Sequence, residues 1–167
     1  MMVQNLDAAC AKLGAKLGAS GNKDTENSIT KALGVLEEQG VYALFLYLIA
    51  RESGKFVLDL LRFMEERCEF RNGQQLYQKW ITTRGKLEEA ESKAKSRGNQ
   101  SERDEARKEV DDAKKVANES REAFFKALTD HAEDLDNLLF TRDLLHRALV
   151  YARYHAKAAQ AGGAKTP

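Results

Sequence analysis

Apolar residues recur along this chain at intervals of three and four, the period of a helix, and β-branched runs are few. The stretch Leu6–Leu17 predicts a short first helix, rich in alanine and weakened by Gly14. Residues 20–24 form a loop by composition. A second helix follows, capped by Asp24 or Thr25 and running through Ile29, Leu33 and Leu36 to Gln39. Gly40 stands where a left-handed C-terminal cap would fall. A third helix is expected over residues 41 to about 53, stopped by Gly54. A fourth is expected over residues 55–69, with Phe56, Leu60, Phe63 and Met64 on one face. Residues 71–73 are a turn.

The most regular pattern comes next. Trp80, Thr83, Leu87, Ala90 and Ala94 are spaced as a heptad seam, and so are Ala106, Val110, Ala113, Ala117, Ser120 and Phe124. Residues 97–100 separate the two runs, and Ser101 with Asp104 is a candidate N-cap start. Folded back about residue 100, Ala94 faces Ala106, Ala90 faces Val110 and Leu87 faces Ala113. The seam is thin and mostly alanine, and its flanks are charged. This predicts a solvated helical arm over about 80–124, rooted in the core by Trp80 and Phe124. Persistence of the heptad spacing across the turn favours helix over disorder. A last helix is expected from about 136 to 159, with Leu138, Leu144, Leu145, Ala148, Tyr151, Ala152 and Ala156 on one broad apolar face. A flexible tail over about 160–167 follows.

Composition sharpens this picture. The only proline is Pro167, and 32% of residues are charged, so helix is permitted throughout. The fold class is therefore all-α: one domain, a compact helical bundle with a protruding antiparallel coiled-coil-like hairpin. The length of 167 residues suffices for a core without staples. Two cysteines, Cys10 and Cys68, are too few for a disulfide framework or a zinc site and read as buried thiols. The first 19 residues lack the basic segment and apolar run of a signal peptide, so a cytoplasmic location is expected. The greasiest segment, residues 40–50, is far shorter than the roughly 20 apolar residues of a membrane span.

Chemistry-bearing motifs are sparse. No Gly-rich phosphate loop, Cys-x-x-Cys pair or nucleophile with a matching base occurs, so no catalytic residue, metal ligand or cofactor is assigned. His131, within an acidic run at 130–134, reads as part of a surface turn. Formal net charge is +1, so contact with nucleic acid requires a local patch. The last helix offers one. Arg142, His146, Arg153 and Lys157 fall within about 60° of one another at 100° per residue. Arg147 and Tyr154 flank this row. Such a row tracks phosphates, and an interleaved aromatic stacks on bases. It is equally the solvated face of an amphipathic helix, with cations favoured near the C-terminus. A second candidate surface is the apolar third helix, where Val41, Tyr42 and Phe45 exceed what one small bundle face needs and suit a protein partner.

Residues 29–48, an amphipathic helix broken at Gln39-Gly40 before a very apolar one, together with Arg147-Ala-Leu-Val-Tyr-Ala-Arg-Tyr-His-Ala-Lys157, resemble the small helical subunit of type III CRISPR effector complexes. The proline that precedes the Gly-broken pair in that family is absent here. The resemblance implies a non-enzymatic subunit that stacks with copies of itself and with other effector-complex protein subunits. It would brace a guide–target duplex, through RNA or single-stranded nucleic acid, by backbone contacts from Arg142, His146, Arg147, Arg153 and Lys157. A protein-only adaptor that reaches its partner through the charged hairpin is the alternative reading.

Overall fold

The computed structural model describes residues 5–96 and 98–163. Among these the fold is all-α, with helices α1 Leu6–Leu17, α2 Lys23–Gln39, α3 Val41–Ala50, α4 Gly54–Arg67, α5 Gly73–Lys95, α6 Gln100–Glu133 and α7 Leu135–Gly163, and no strand. The chain forms two units. One comprises the residues up to Phe70 together with those from His131 onward; the other is Arg71–Asp130.

In the first unit, α7 is the helix on which α1, α2 and α3 pack. The α1–α7 crossing is very close, and glycine makes it so. A Cβ on Gly14 would sit 2.5 Å from Tyr151 Cβ, 2.9 Å from Ala152 N and 3.0 Å from Ala148 O. A Cβ on Gly18 would meet Ala152 O, and would lie 2.9 Å from Ala156 N. Small residues four apart on both helices thus let two backbones approach. Gly14, read from sequence as a weakness, is the site of closest packing. Leu36, Phe45, Leu60, Leu61, Met64, Leu144, Leu145 and Leu149 are fully buried in this unit.

Several boundaries differ from the sequence expectation, each for a local reason. The cap of α2 is Asn22, not Asp24 or Thr25: its Oδ1 accepts from Thr25 N at 2.7 Å, leaving Asp24 inside the first turn where the helix dipole favours it. Gly40 has φ 90° and ψ −172°, a positive-φ conformation but not the left-handed helical one. Its N–H still bonds Leu36 O, and its carbonyl accepts from Leu44 N, so this single residue joins α2 to α3. The third helix ends at Ala50 because Glu52 turns to φ 55°. Gly54 therefore opens α4 instead of stopping α3. The last helix extends as helix to Gly163, past the expected end near 159; residues 164–167 of the expected tail lie outside the described residues.

The second unit is the antiparallel pair of α5 and the greater part of α6. Asn99, not Ser101, caps α6, accepting from Glu102 N at 2.9 Å. Trp80 stacks on Phe124 with ring centroids 5.9 Å apart, and Tyr77 and Phe125 close the cluster at 5.4 and 5.6 Å. Trp80 and Phe124, expected to root the arm in the core, belong to an aromatic cluster inside this unit. The seam follows the heptads: Thr83, Ala106, Ala117 and Ser120 are buried, while Leu87, Ala90, Ala94, Val110 and Ala113 are half-buried. Toward the turn the alanine seam underfills the space. An open recess of about 770 Å³ lies there between Ala94 and Lys95 on one helix and Arg103, Arg107 and Val110 on the other.

Candidate nucleic-acid interface on the last helix

The basic row of α7 is set by how much of that helix is buried. Ala148, Ala152 and Ala156 are fully buried on the α1 side. Leu145 and Leu149 extend the buried face further round. At 100° per residue, the row at Arg142, Arg153, His146 and Lys157 begins about 20° beyond Leu149. It therefore borders the apolar face, and α1, α2 and α3 all pack on this helix.

The row meets α2. Arg142 Nη2 donates to Glu37 O at 2.7 Å, and His146 Nε2 lies 2.8 Å from Glu37 Oε1. About three to four turns further along, Lys157 Nζ is 3.6 Å from Glu26 Oε1, and Gln160 Nε2 donates to Glu26 Oε2 at 3.0 Å. Two residues of α2 thus hold the two ends of the row, Glu37 through its main-chain carbonyl and its carboxylate, and Glu26 through its carboxylate. The His146–Glu37 pair is exposed and the Lys157–Glu26 pair half-buried; pairs at the surface contribute little, about 0–1 kcal/mol each, but these take up donors that would otherwise face solvent. Arg147, off the row, pairs with Asp143 at 2.9 Å. Arg153, half-buried in the middle, has its Nε covered with no hydrogen-bond acceptor. Around it, Tyr154 is 65% exposed and His155 is also exposed, so the second half of α7 presents an accessible ring among cations. Tyr151, one turn back, is tethered: its hydroxyl donates to Asp7 Oδ1 at 2.6 Å.

The apolar third helix divides differently from its expected partner face. Val41 and Phe45 are buried in the core of the unit and offer nothing to a partner. Tyr42 is exposed, and its neighbour one turn on is Leu46, 44% exposed. The exposed apolar residues of α7 are concentrated at its start, at Leu135, Leu139 and Phe140. Leu139 also borders a recess of about 270 Å³ with Leu36, Glu37, Arg142 and His146.

One polar cluster escaped the sequence reading. His131 does not belong to an exposed acidic turn; it is half-buried, with Nε2 2.8 Å from Thr141 Oγ1 and its ring edge-on to Phe70 at 5.3 Å. Burial lowers its pKa, with Asp134 opposing. Thr141 is fully buried and also hydrogen-bonds Cys68, whose thiol is pushed up by burial. Cys10 is raised to about 11, chiefly by burial, and its Sγ lies 3.5 Å from Leu144 O. Both cysteines are buried and unbridged, as expected. Among the described residues no cluster of three or more His, Cys, Asp or Glu is placed to hold a metal ion, and no helix is long and apolar enough to cross a membrane. The chain matches no protein-family model, no curated protein and no solved structure.

Proposed function

We propose that this chain is a small non-enzymatic helical subunit of a cytoplasmic RNA-guided CRISPR ribonucleoprotein effector, where it braces the guide–target duplex by backbone contacts alongside other protein subunits. One observation carries this reading. The two stretches that resemble that subunit family, 29–48 and 147–157, are far apart in sequence yet belong to helices that pack together: α2 on α7, α2 on α3, and α3 on α7. A resemblance confined to scattered surface residues would not assemble into one continuous piece of bundle.

In this role the cations of α7 contact phosphates, which needs charge without base readout. Arg147, Arg153 and Lys157, beside Tyr154, are the donors nearest the accessible half of the helix. Arg142 and His146 contribute by exchanging Glu37 for a phosphate, Arg147 by exchanging Asp143 and Lys157 by exchanging Glu26. That internal pairing is also what favours the second reading, a protein-only adaptor working through the α5–α6 hairpin.

The test is a tagged pull-down from the native host, with and without ribonuclease, followed by protein and nucleic-acid identification. Short RNAs of uniform length with several co-eluting subunits support the proposal. A single stoichiometric protein partner and no nucleic acid replaces it with the adaptor. The matched variant is Arg147→Gln/Arg153→Gln/Lys157→Gln. Neutral glutamines avoid setting a new carboxylate against Glu26, so unchanged far-UV helicity with lost RNA retention isolates binding from folding.

A further inference from the structure

The chain passes between its two units twice. It leaves the first unit after Phe70 and re-enters it at His131. Those two residues touch each other, edge to face, with ring centroids 5.3 Å apart. The ring of His131 is in turn fixed to α7 through Thr141 Oγ1 at 2.8 Å. Thr141, 0% exposed, also hydrogen-bonds Cys68, two residues before the outgoing crossing. Four side chains from three segments therefore close one knot at the place where the chain departs and returns. Every one of them lies in the first unit, so the knot is a property of that unit alone.

We propose that His131 is a pH-sensitive clamp on these two crossings: neutral, it holds residues 68–70 and 131–134 together against α7, and protonated, it releases them. The chemistry follows from the surroundings. A neutral imidazole offers one donor and one acceptor, and the threonine hydroxyl satisfies whichever of them Nε2 presents. A second proton places a full charge on a half-buried ring flanked by Phe70 and by the thiol behind Thr141, with no carboxylate in hydrogen-bond contact. From α7 the ring meets Thr141, and from the α4–α5 connection it meets Phe70, with Cys68 beyond. The charged neighbours are on its own flank. Asp134 attracts the proton, but its carboxylate already accepts from Asn137 N at 3.0 Å and Asn137 Nδ2 at 3.2 Å as the cap of α7. Asp130 is held by Lys126 at 2.7 Å. Burial outweighs Asp134, so the group binds its proton less readily folded than unfolded. The sign follows. The clamp is whole above the ordinary imidazole value of 6.5 and loosens as pH falls below it.

The experiment is amide hydrogen exchange on the whole chain at about pH 7.5 and about pH 5.5, which bracket imidazole titration, with protection corrected for intrinsic rates. Amides of residues 68–73 and 129–134 are expected to lose protection severalfold at the lower pH, while those of 144–156 hold. His131→Gln keeps a side-chain amide near Thr141 and cannot titrate, so its protection is expected to stay level. Equal loss in His131→Gln, or no loss in the native chain, overturns the proposal. The His131 ring resonances of the native chain give a check that needs no variant: a titration midpoint at or above 6.5 overturns it as well.

Discussion

Adding one methyl group at Gly14 tests the close α1–α7 crossing. A Cβ there would sit 2.5 Å from Tyr151 Cβ, against backbone atoms of Ala148 and Ala152 at 3.0 and 2.9 Å. Backbone cannot rotate aside, so α1 must withdraw by about 1 Å to restore van der Waals distance. A gap of 0.5–1 Å forfeits roughly a quarter to a half of each dispersion contact across it. The buried side chains of α1, Cys10, Leu13 and Leu17, would all lose contacts in this way. Overpacking costs about 1–3 kcal/mol, and a backbone clash belongs at the top of that range. Alanine returns about 1 kcal/mol of helix propensity in the interior of α1. The net expectation for Gly14→Ala is a loss of about 2 kcal/mol. With a urea slope of about 2 kcal/mol/M, that is a midpoint lowered by about 1 M. Urea unfolding followed by far-UV circular dichroism reads it directly. Gly34 in α2 supplies the opposite sign, because a Cβ there meets nothing within 4 Å. Gly34→Ala is expected to gain up to about 1 kcal/mol. If Gly14→Ala proves as stable as the native chain, or if both glycines respond alike, the close crossing is wrong.

Three further outcomes follow from other parts of the molecule. Phe124→Ala removes the fully buried ring of the hairpin cluster and should cost about 3–5 kcal/mol, seen as a red shift in emission from Trp80, the only tryptophan, and as earlier unfolding. Cys10 is raised to about 11 by burial, so its contribution to stability is complete below about pH 9 and is lost as pH climbs through 11; at pH near 8 neither thiol should react with a soluble disulfide reagent until the chain unfolds. If the last helix lies along nucleic acid, Arg147→Gln should reduce the dependence of log affinity on log salt by about 1 without changing sequence preference; an unaltered slope removes Arg147 from the interface.

The helices were legible because their cause is local. A 3.6-residue period and the absence of internal proline act within a few turns, and Leu6–Leu17 was readable to the residue. The heptad seam was legible for the same reason, since Ala106, Ala117, Ser120 and Phe124 are buried in register. Joints were less so. Whether a chain reverses at Gly54 or two residues earlier depends on Glu52 tolerating φ 55°, and no residue type announces that. The function of Gly14 and Gly18 was hidden for a different reason. Glycine four residues apart reads as helix weakening in one dimension, and only the matching Ala148, Ala152 and Ala156 on a helix far along the chain turns it into a packing surface. That complementary small-residue spacing was present in the sequence and could have been paired.

The candidate interface was legible as a list of residues but not as a set of partners. Helical angles alone place Arg142, His146, Arg153 and Lys157 together, and they do lie on one side of α7. Sequence could not say that α2 would pack along that side and bring Glu37 and Glu26 to it. This changes what binding must mean chemically. Phosphate contact at the ends of the row replaces an acceptor already engaged, the Glu37 carbonyl for Arg142 and the Glu37 and Glu26 carboxylates for His146 and Lys157, so the net gain there is a difference between two interactions. Only in the stretch around Arg153, Tyr154 and His155, where no carboxylate of α2 is paired, does an incoming phosphate add an interaction without removing one. Any affinity for a nucleic-acid backbone should therefore concentrate in the second half of α7. Substitution at Arg153 should weaken it more than substitution at Arg142, even though both are arginines on the same row. A backbone-binding measurement that ranks Arg142 above Arg153 would show that Arg142 gives up the Glu37 carbonyl on binding and that the row works as a whole.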